Sequence, residues 1–168
     1  MSIFFSGGEI LDMAMGIERN GITFYDTLAD KTSDTDTCSL YRYLSDEEKK
    51  HLLSFRNMAG TEGKYKPARL YPDEYMHYLK SLIDSAVFAD VADARRLAEN
   101  AVSEYNAIDT GIQAEKDSIL FYLELRNIVS ISDLEIVDTI IEAEKDHLRQ
   151  LSELKVMMRG KRTDNGGK

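Results

Sequence analysis

The sequence predicts an all-α four-helix bundle, made of two antiparallel helix hairpins joined by a long, partly helical crossover. Three observations point there. Four long segments repeat apolar residues at the 3.6-residue helical period, and none alternates as a half-buried strand would. Both prolines, Pro67 and Pro72, fall in one short stretch, so the strongest helix breaker is missing from every long segment. Short links join the first segment to the second and the third to the fourth, whereas a crossover of about residues 61–103 separates the two pairs.

The first helix is expected from about Glu9 to Asp30, with Leu11, Ala14, Met15, Glu18, Ile22, Tyr25 and Leu28 on one face. Ser6 and Glu9 have the spacing of a capping box at its start. The polar run 32–37 ends it and caps the second helix, expected from about Asp36 to Ala59. That helix stripes Leu40, Leu44, Glu48, His51, Phe55 and Met58, and Gly60 stands where a glycine cap closes a helix. Residues 61–71 read as loop, Pro72-Asp73 opens a short helix to about Ile83, and an Ala-rich piece follows from Asp90 to Asn100. The third long helix, about Ser103 to Ile128, lines up Ile108, Gly111, Ile112, Glu115, Ile119, Tyr122 and Leu125. The fourth is expected to begin at Ser132, paired with Glu135 as a second capping box. It carries Leu134, Val137, Ile141, Glu144, His147, Leu148 and Leu151 on one face.

At 168 residues and 43% apolar content, the chain suits one domain with a sizeable core. The bundle is expected over residues 1–160, with 161–168 a disordered tail. A formal net charge of −9 argues against nucleic acid or an anionic membrane as partner. The single cysteine, Cys38, excludes an internal disulfide and any C-x-x-C motif, and a free thiol suits a reducing compartment. Cys38 is expected to be an ordinary, partly buried thiol. The patch Ile3-Phe4-Phe5 has no basic residues before it and no long apolar run after it. Neither a signal peptide nor a membrane span is expected, and the cytoplasm is the default.

The two hairpins repeat each other. Ile17-Glu18-Arg19-Asn20-Gly21-Ile22-Thr23-Phe24-Tyr25 matches Ala114-Glu115-Lys116-Asp117-Ser118-Ile119-Leu120-Phe121-Tyr122, at an offset of 97. Glu48-Lys49-Lys50-His51-Leu52 matches Glu144-Lys145-Asp146-His147-Leu148, at an offset of 96. Spacing of i, i+3 puts glutamate and histidine on one helix face, one turn apart. Each of these faces is otherwise apolar, so Glu18, Glu48, His51, Glu115, Glu144 and His147 should point into the core. Four buried carboxylates are prohibitively costly unless neutralised. Two divalent cations and two neutral imidazoles close that charge, and mixed oxygen and nitrogen donors suit iron or manganese. A metal-free bundle with two inherited Glu-His pairs is the alternative. A third Glu-x-x-His, Glu74 to His77, lies in the crossover without a matching glutamate helix, and an ordinary surface or helix contact is expected there.

At these residues the chain resembles the rubrerythrin family of the ferritin-like superfamily, over roughly residues 9–59 and 104–157. One glutamate from each of two helices, plus Glu-x-x-His from each of the other two, is the ligand set of such carboxylate proteins. The resemblance implies two iron ions per chain, with manganese or zinc as substitutes. It makes Glu48 and Glu144 bridging ligands, Glu18 and Glu115 terminal carboxylates, and His51 and His147 the caps of one metal each. It also implies a homodimer, peroxide or dioxygen as substrate, and an external electron donor such as a rubredoxin-like protein. Two features depart from the family pattern. One cysteine cannot supply a rubredoxin-like domain, and Ser118 stands where the family carries an extra glutamate one turn after the third-helix ligand.

Tyr25 and Tyr122 fit three roles: hydrogen bonding to carboxylates across the bundle, carrying an electron or proton, or plain core packing. Gly21 and Ser118 stand at equivalent repeat positions, where a small side chain either leaves room for an oxidant or permits close helix packing. The functional expectation is a di-iron redox protein that reduces hydrogen peroxide or dioxygen. The alternative is iron oxidation for storage or handling, with Fe(II) as the substrate.

Overall fold

A computed structural model describes the backbone of residues 7–60 and 72–165. Six α-helices and one 3-10 turn make up the fold, and no strand occurs among the described residues. Helix α1 (Gly7–Lys31) pairs with α2 (Thr35–Ala59), and α5 (Glu104–Ile128) pairs with α6 (Leu134–Asn165). Between the hairpins run α3 (Asp73–Asp84), which lies on α5, and α4 (Val91–Glu99), which lies on α1. The expected bundle with its helical crossover is the observed architecture. No helix among the described residues is long and apolar enough to cross a membrane.

Local chemistry sets most of the boundaries. The Asp34 carboxylate accepts from the Thr37 N–H at 2.9 Å and from its hydroxyl at 2.6 Å, which caps α2. Gly60 ends that helix at φ +68°, a conformation glycine adopts without Cβ strain. Asp90 caps α4 and Ser103 caps α5 in the same side-chain manner. The start of α6 differs from the expectation. A 3-10 turn, Ile131–Asp133, precedes it, and the Ser132 hydroxyl lies 2.7 Å from that of Ser130 instead of capping with Glu135. Ser130 also donates to Asp133 at 2.6 Å, so the polar side chains close on one another and tighten the turn before the helix starts. Helix α6 continues to Asn165, so residues 161–165 are helical where the sequence reading expects a disordered tail. Gly160 lies inside it, and one helical glycine costs only about 1 kcal/mol relative to alanine. The Ser6 cap, the loop 61–71 and residues 166–168 lie outside the described residues.

Two apolar clusters fill the interior. One gathers Leu11, Phe55, Tyr122, Leu125, Val137 and Ile141; the other gathers Phe24, Tyr25, Leu44, Ala94, Ile108 and Leu151. Phe88 of the crossover, just before α4, packs on Phe24 at 4.8 Å between ring centroids and ties the crossover to α1. Between the two clusters lies a layer of buried polar side chains.

Candidate metal centre

The six side chains singled out by the repeat all lie in that layer. Glu18 comes from α1, Glu48 and His51 from α2, Glu115 from α5, and Glu144 and His147 from α6; none is more than 5% exposed. Each sits at a core-facing position of an amphipathic helix, so packing the apolar stripes forces the polar groups together. Their donor atoms form two groups, Glu18–Glu48–His51–Glu144 and Glu48–Glu115–Glu144–His147, each within 4.8 Å. Glu48 and Glu144 belong to both.

The arrangement follows the internal repeat. His51 Nδ1 lies 3.1 Å from Glu48 Oε2, 3.1 Å from Glu144 Oε1 and 3.7 Å from Glu18 Oε2. His147 Nδ1 lies 3.6 Å from Glu48 Oε1, 3.3 Å from Glu144 Oε2 and 3.8 Å from Glu115 Oε2. The two imidazoles stack at 5.7 Å. The tyrosines are exchanged between hairpins: Tyr25 of α1 donates to Glu115 Oε1 of α5, and Tyr122 of α5 donates to Glu18 Oε1 of α1. Each hydroxyl fixes one carboxylate oxygen and leaves the other facing the centre.

Electrostatics divide the carboxylates into two kinds. Burial, and then the charge of Glu48, raises Glu18 well above the usual carboxylate range; burial, and then the charge of Glu144, does the same to Glu115. For Glu48 and Glu144 burial is again the largest influence and acts upward, but contacts with both imidazoles outweigh it and hold these two low. Burial opposes protonation of the histidines, yet three carboxylates around each ring prevail: His51 is pushed up to about 12, and His147 rises similarly. Without metal these directions favour protons on both imidazoles and on Glu18 and Glu115, with Glu48 and Glu144 as the ionised pair.

That compromise leaves atoms without partners. Both oxygens of Glu144 and both ring nitrogens of His147 are buried with no hydrogen bond, because their close approaches lack hydrogen-bonding angles. Ser45 Oγ is the remaining unpartnered buried side-chain atom among the described residues. Buried donor atoms converging on shared points, without bonding one another, fit cations. Four carboxylates balance two divalent ions, and a mixed O/N donor set suits iron or manganese.

Several structural roles were open or unseen in the sequence. A Cβ at Gly21 would meet Glu48 Cγ at 3.3 Å, so this glycine lets the Glu48 side chain cross α1. Gly111 does the same for Tyr25, whose hydroxyl would lie 3.4 Å from an added Cβ. Ser118 is buried and donates back to the Ala114 carbonyl at 3.0 Å. Tyr43, which the sequence reading did not single out, is 43% exposed and meets the His147 ring edge-on at 6.1 Å. Its i, i+4 relation to neighbours on α2 gives no signal of that contact. Glu74 and His77 lie exposed on α3, away from the cluster, and half-buried Cys38 has its sulfur 3.3 Å from the Ala29 carbonyl.

Comparisons with known proteins agree with this geometry. A search of curated proteins finds no match. Among solved structures, a Thermotoga maritima protein described as a ferritin-like diiron-carboxylate protein is similar over 90% of this chain and 95% of its own, with 27% identity and a TM-score of 0.66. The rubrerythrin family model matches residues 9–155, a span that holds both hairpins and all six convergent side chains. The chain belongs to the rubrerythrin family.

Proposed function

We propose that this protein is a two-metal redox enzyme that reduces peroxide, with iron as its metal and an external electron-donor protein restoring it between turnovers. The observation that carries the reading is the sharing of Glu48 and Glu144 by two four-residue donor groups, beneath a cavity that opens onto Glu18, Glu48 and Glu115. Glu18 and His51 would hold one ion, Glu115 and His147 the other, and Glu48 and Glu144 both. Bound there, two iron ions supply the two electrons that cleavage of an O–O bond requires.

The chain's own side chains do the rest. Tyr122 and Tyr25 hold Glu18 and Glu115 in register by donating to one oxygen of each, and such support of a ligand tunes and fixes it. The apolar clusters on both sides keep bulk water from the carboxylates. Ser118, its hydroxyl turned back to the helix, brings no further carboxylate to the centre. The approach is lined mainly by Met13, Ile17, Leu82, Val87, Phe88 and Phe121. Arg19, Asn20, Asp90 and Asp117 stand on the same lining, so the reading rests on the paired donor groups, and the fate of the iron separates it from iron handling.

Stopped-flow oxidation of the diferrous protein by hydrogen peroxide and by dioxygen, followed by gel filtration and iron counting, tests the reading. Faster reaction with peroxide and full retention of iron are expected. Faster reaction with dioxygen, or iron lost at each cycle, would overturn it in favour of iron handling.

A further inference from the structure

A cavity of about 310 Å³ lies between α1, α5 and the crossover. Its floor is Glu18, Glu48, Glu115 and Tyr25; its walls and roof are chiefly apolar, with Met13, Ile17, Ile83, Val87, Phe88 and Phe121 among them. Polar residues Arg19, Asn20, Asp90 and Asp117 also line it. Two observations mark it as built. The Val87 N–H donates to Asp117 Oδ2 at 2.8 Å, and Gln113 holds the other oxygen of Asp117 at 2.8 Å, so the roof is tied to α5 beside the floor carboxylates. Gly16 lines it on α1 with nothing within 4 Å of an added Cβ, so the helix leaves open space where a side chain would stand.

The volume decides what the cavity is for. A water occupies about 30 Å³ of liquid, and hydrogen peroxide or dioxygen needs only a little more. Small-molecule sites begin at roughly 300 Å³. Either small oxidant would leave most of this apolar space without a partner, whereas an apolar organic group fills it and gains free energy from every methylene removed from water.

We propose that this cavity binds an apolar organic hydroperoxide, with the organic group under the crossover and the –OOH end at Glu18, Glu48 and Glu115. The inference rests on the peroxide-reducing reading above and names its substrate class. In the reaction the O–O bond of ROOH breaks, the peroxide takes up two electrons and two protons, and ROH and water leave. Two iron ions held by Glu18, Glu48, His51, Glu115, Glu144 and His147 would supply the two electrons, and the external donor would return them.

Cumyl alcohol, the product of cumene hydroperoxide, serves as a probe that needs no turnover. Titration calorimetry should show it binding to the full chain, and Gly16→Leu should weaken binding by at least about tenfold by occupying the volume. Gly16 has no positive φ and leucine is the better helix former, so this variant should melt no lower than the parent. Ala86→Phe, in the roof, tests the same volume from another element. With the iron-loaded protein, KM should be lower for cumene hydroperoxide than for hydrogen peroxide, and both variants should raise KM for cumene hydroperoxide. No binding of the alcohol, or equal binding by parent and both variants, overturns the inference and leaves the peroxide reading standing. Binding of the alcohol by a protein inert to every peroxide leaves only an organic-ligand site and overturns both the peroxide reading and the hydroperoxide as its substrate.

Discussion

Loading the metal-free protein with two divalent ions should release four protons, a number that follows from the buried charges. The upward shifts of His51, His147, Glu18 and Glu115 predict that these four groups hold protons near neutral pH without metal, while the downward shifts of Glu48 and Glu144 keep those two ionised. Coordination needs neutral imidazoles and four carboxylates, so two protons leave the histidines and two leave Glu18 and Glu115. One proton changes a binding free energy by about 1.36 kcal/mol per pH unit, and four change that of the pair by roughly 5.4 kcal/mol per pH unit. Affinity should therefore rise steeply with pH while those groups stay protonated in the metal-free state. Manganese(II) avoids redox side reactions. Its binding heat, measured near about pH 6 in buffers of different ionisation enthalpy, gives the number of protons as the slope. A slope of two or fewer would refute the neutralised, metal-free charge pattern derived from the burial of Glu18 and Glu115.

Metal should also change how stability depends on pH. The raised pKa values of His51 and His147 contribute stability that is full below their unfolded value of about 6.5 and is lost as pH rises toward the folded values, near 12 for His51. The raised carboxyls act in the same direction above about 4.5, so the Tm of the metal-free protein should fall on alkalinisation while that of the metal-loaded protein holds, as calorimetric scans would show. At metal concentrations of about 100 times Kd, the loaded protein should be more stable by about 2.7 kcal/mol for each ion bound, and Glu144→Gln should remove most of that gap in thermal melts. Gly21→Ala should leave the metal-free Tm unchanged or higher, because helix propensity improves by up to about 1 kcal/mol. Its methyl group presses on Glu48, however, and metal affinity measured by competition with a chelator should fall by about tenfold. Tyr122→Phe removes a hydrogen bond to a carboxylate, worth about 1.5–3 kcal/mol, and should weaken metal binding more than it lowers the metal-free Tm.

The sequence by itself determined the helices and the contents of the centre. Apolar period, capping residues and Gly60 are local signals, so α2, α4 and α5 begin and end close to where their side chains dictate. Glutamates in the middle of apolar stripes at Glu18 and Glu115, and the repeated Glu-x-x-His, marked the six side chains that the structure brings together. Their registry with one another was implied by the repeat, because equivalent helices placed about a two-fold axis meet at equivalent residues. The tertiary structure alone decided the rest. Only packing reveals that each tyrosine serves the glutamate of the other hairpin, since Tyr25 and Glu115 are ninety residues apart. Only packing gives Gly21 and Gly111 their reason, because a glycine's value lies in what approaches it. The cavity belongs to neither hairpin: it exists where the crossover, tied by Val87 to Asp117, spans two helices without filling the space beneath. Local patterns specify which face of a helix is buried. What meets that face, and what is left open beside it, is a property of several helices at once.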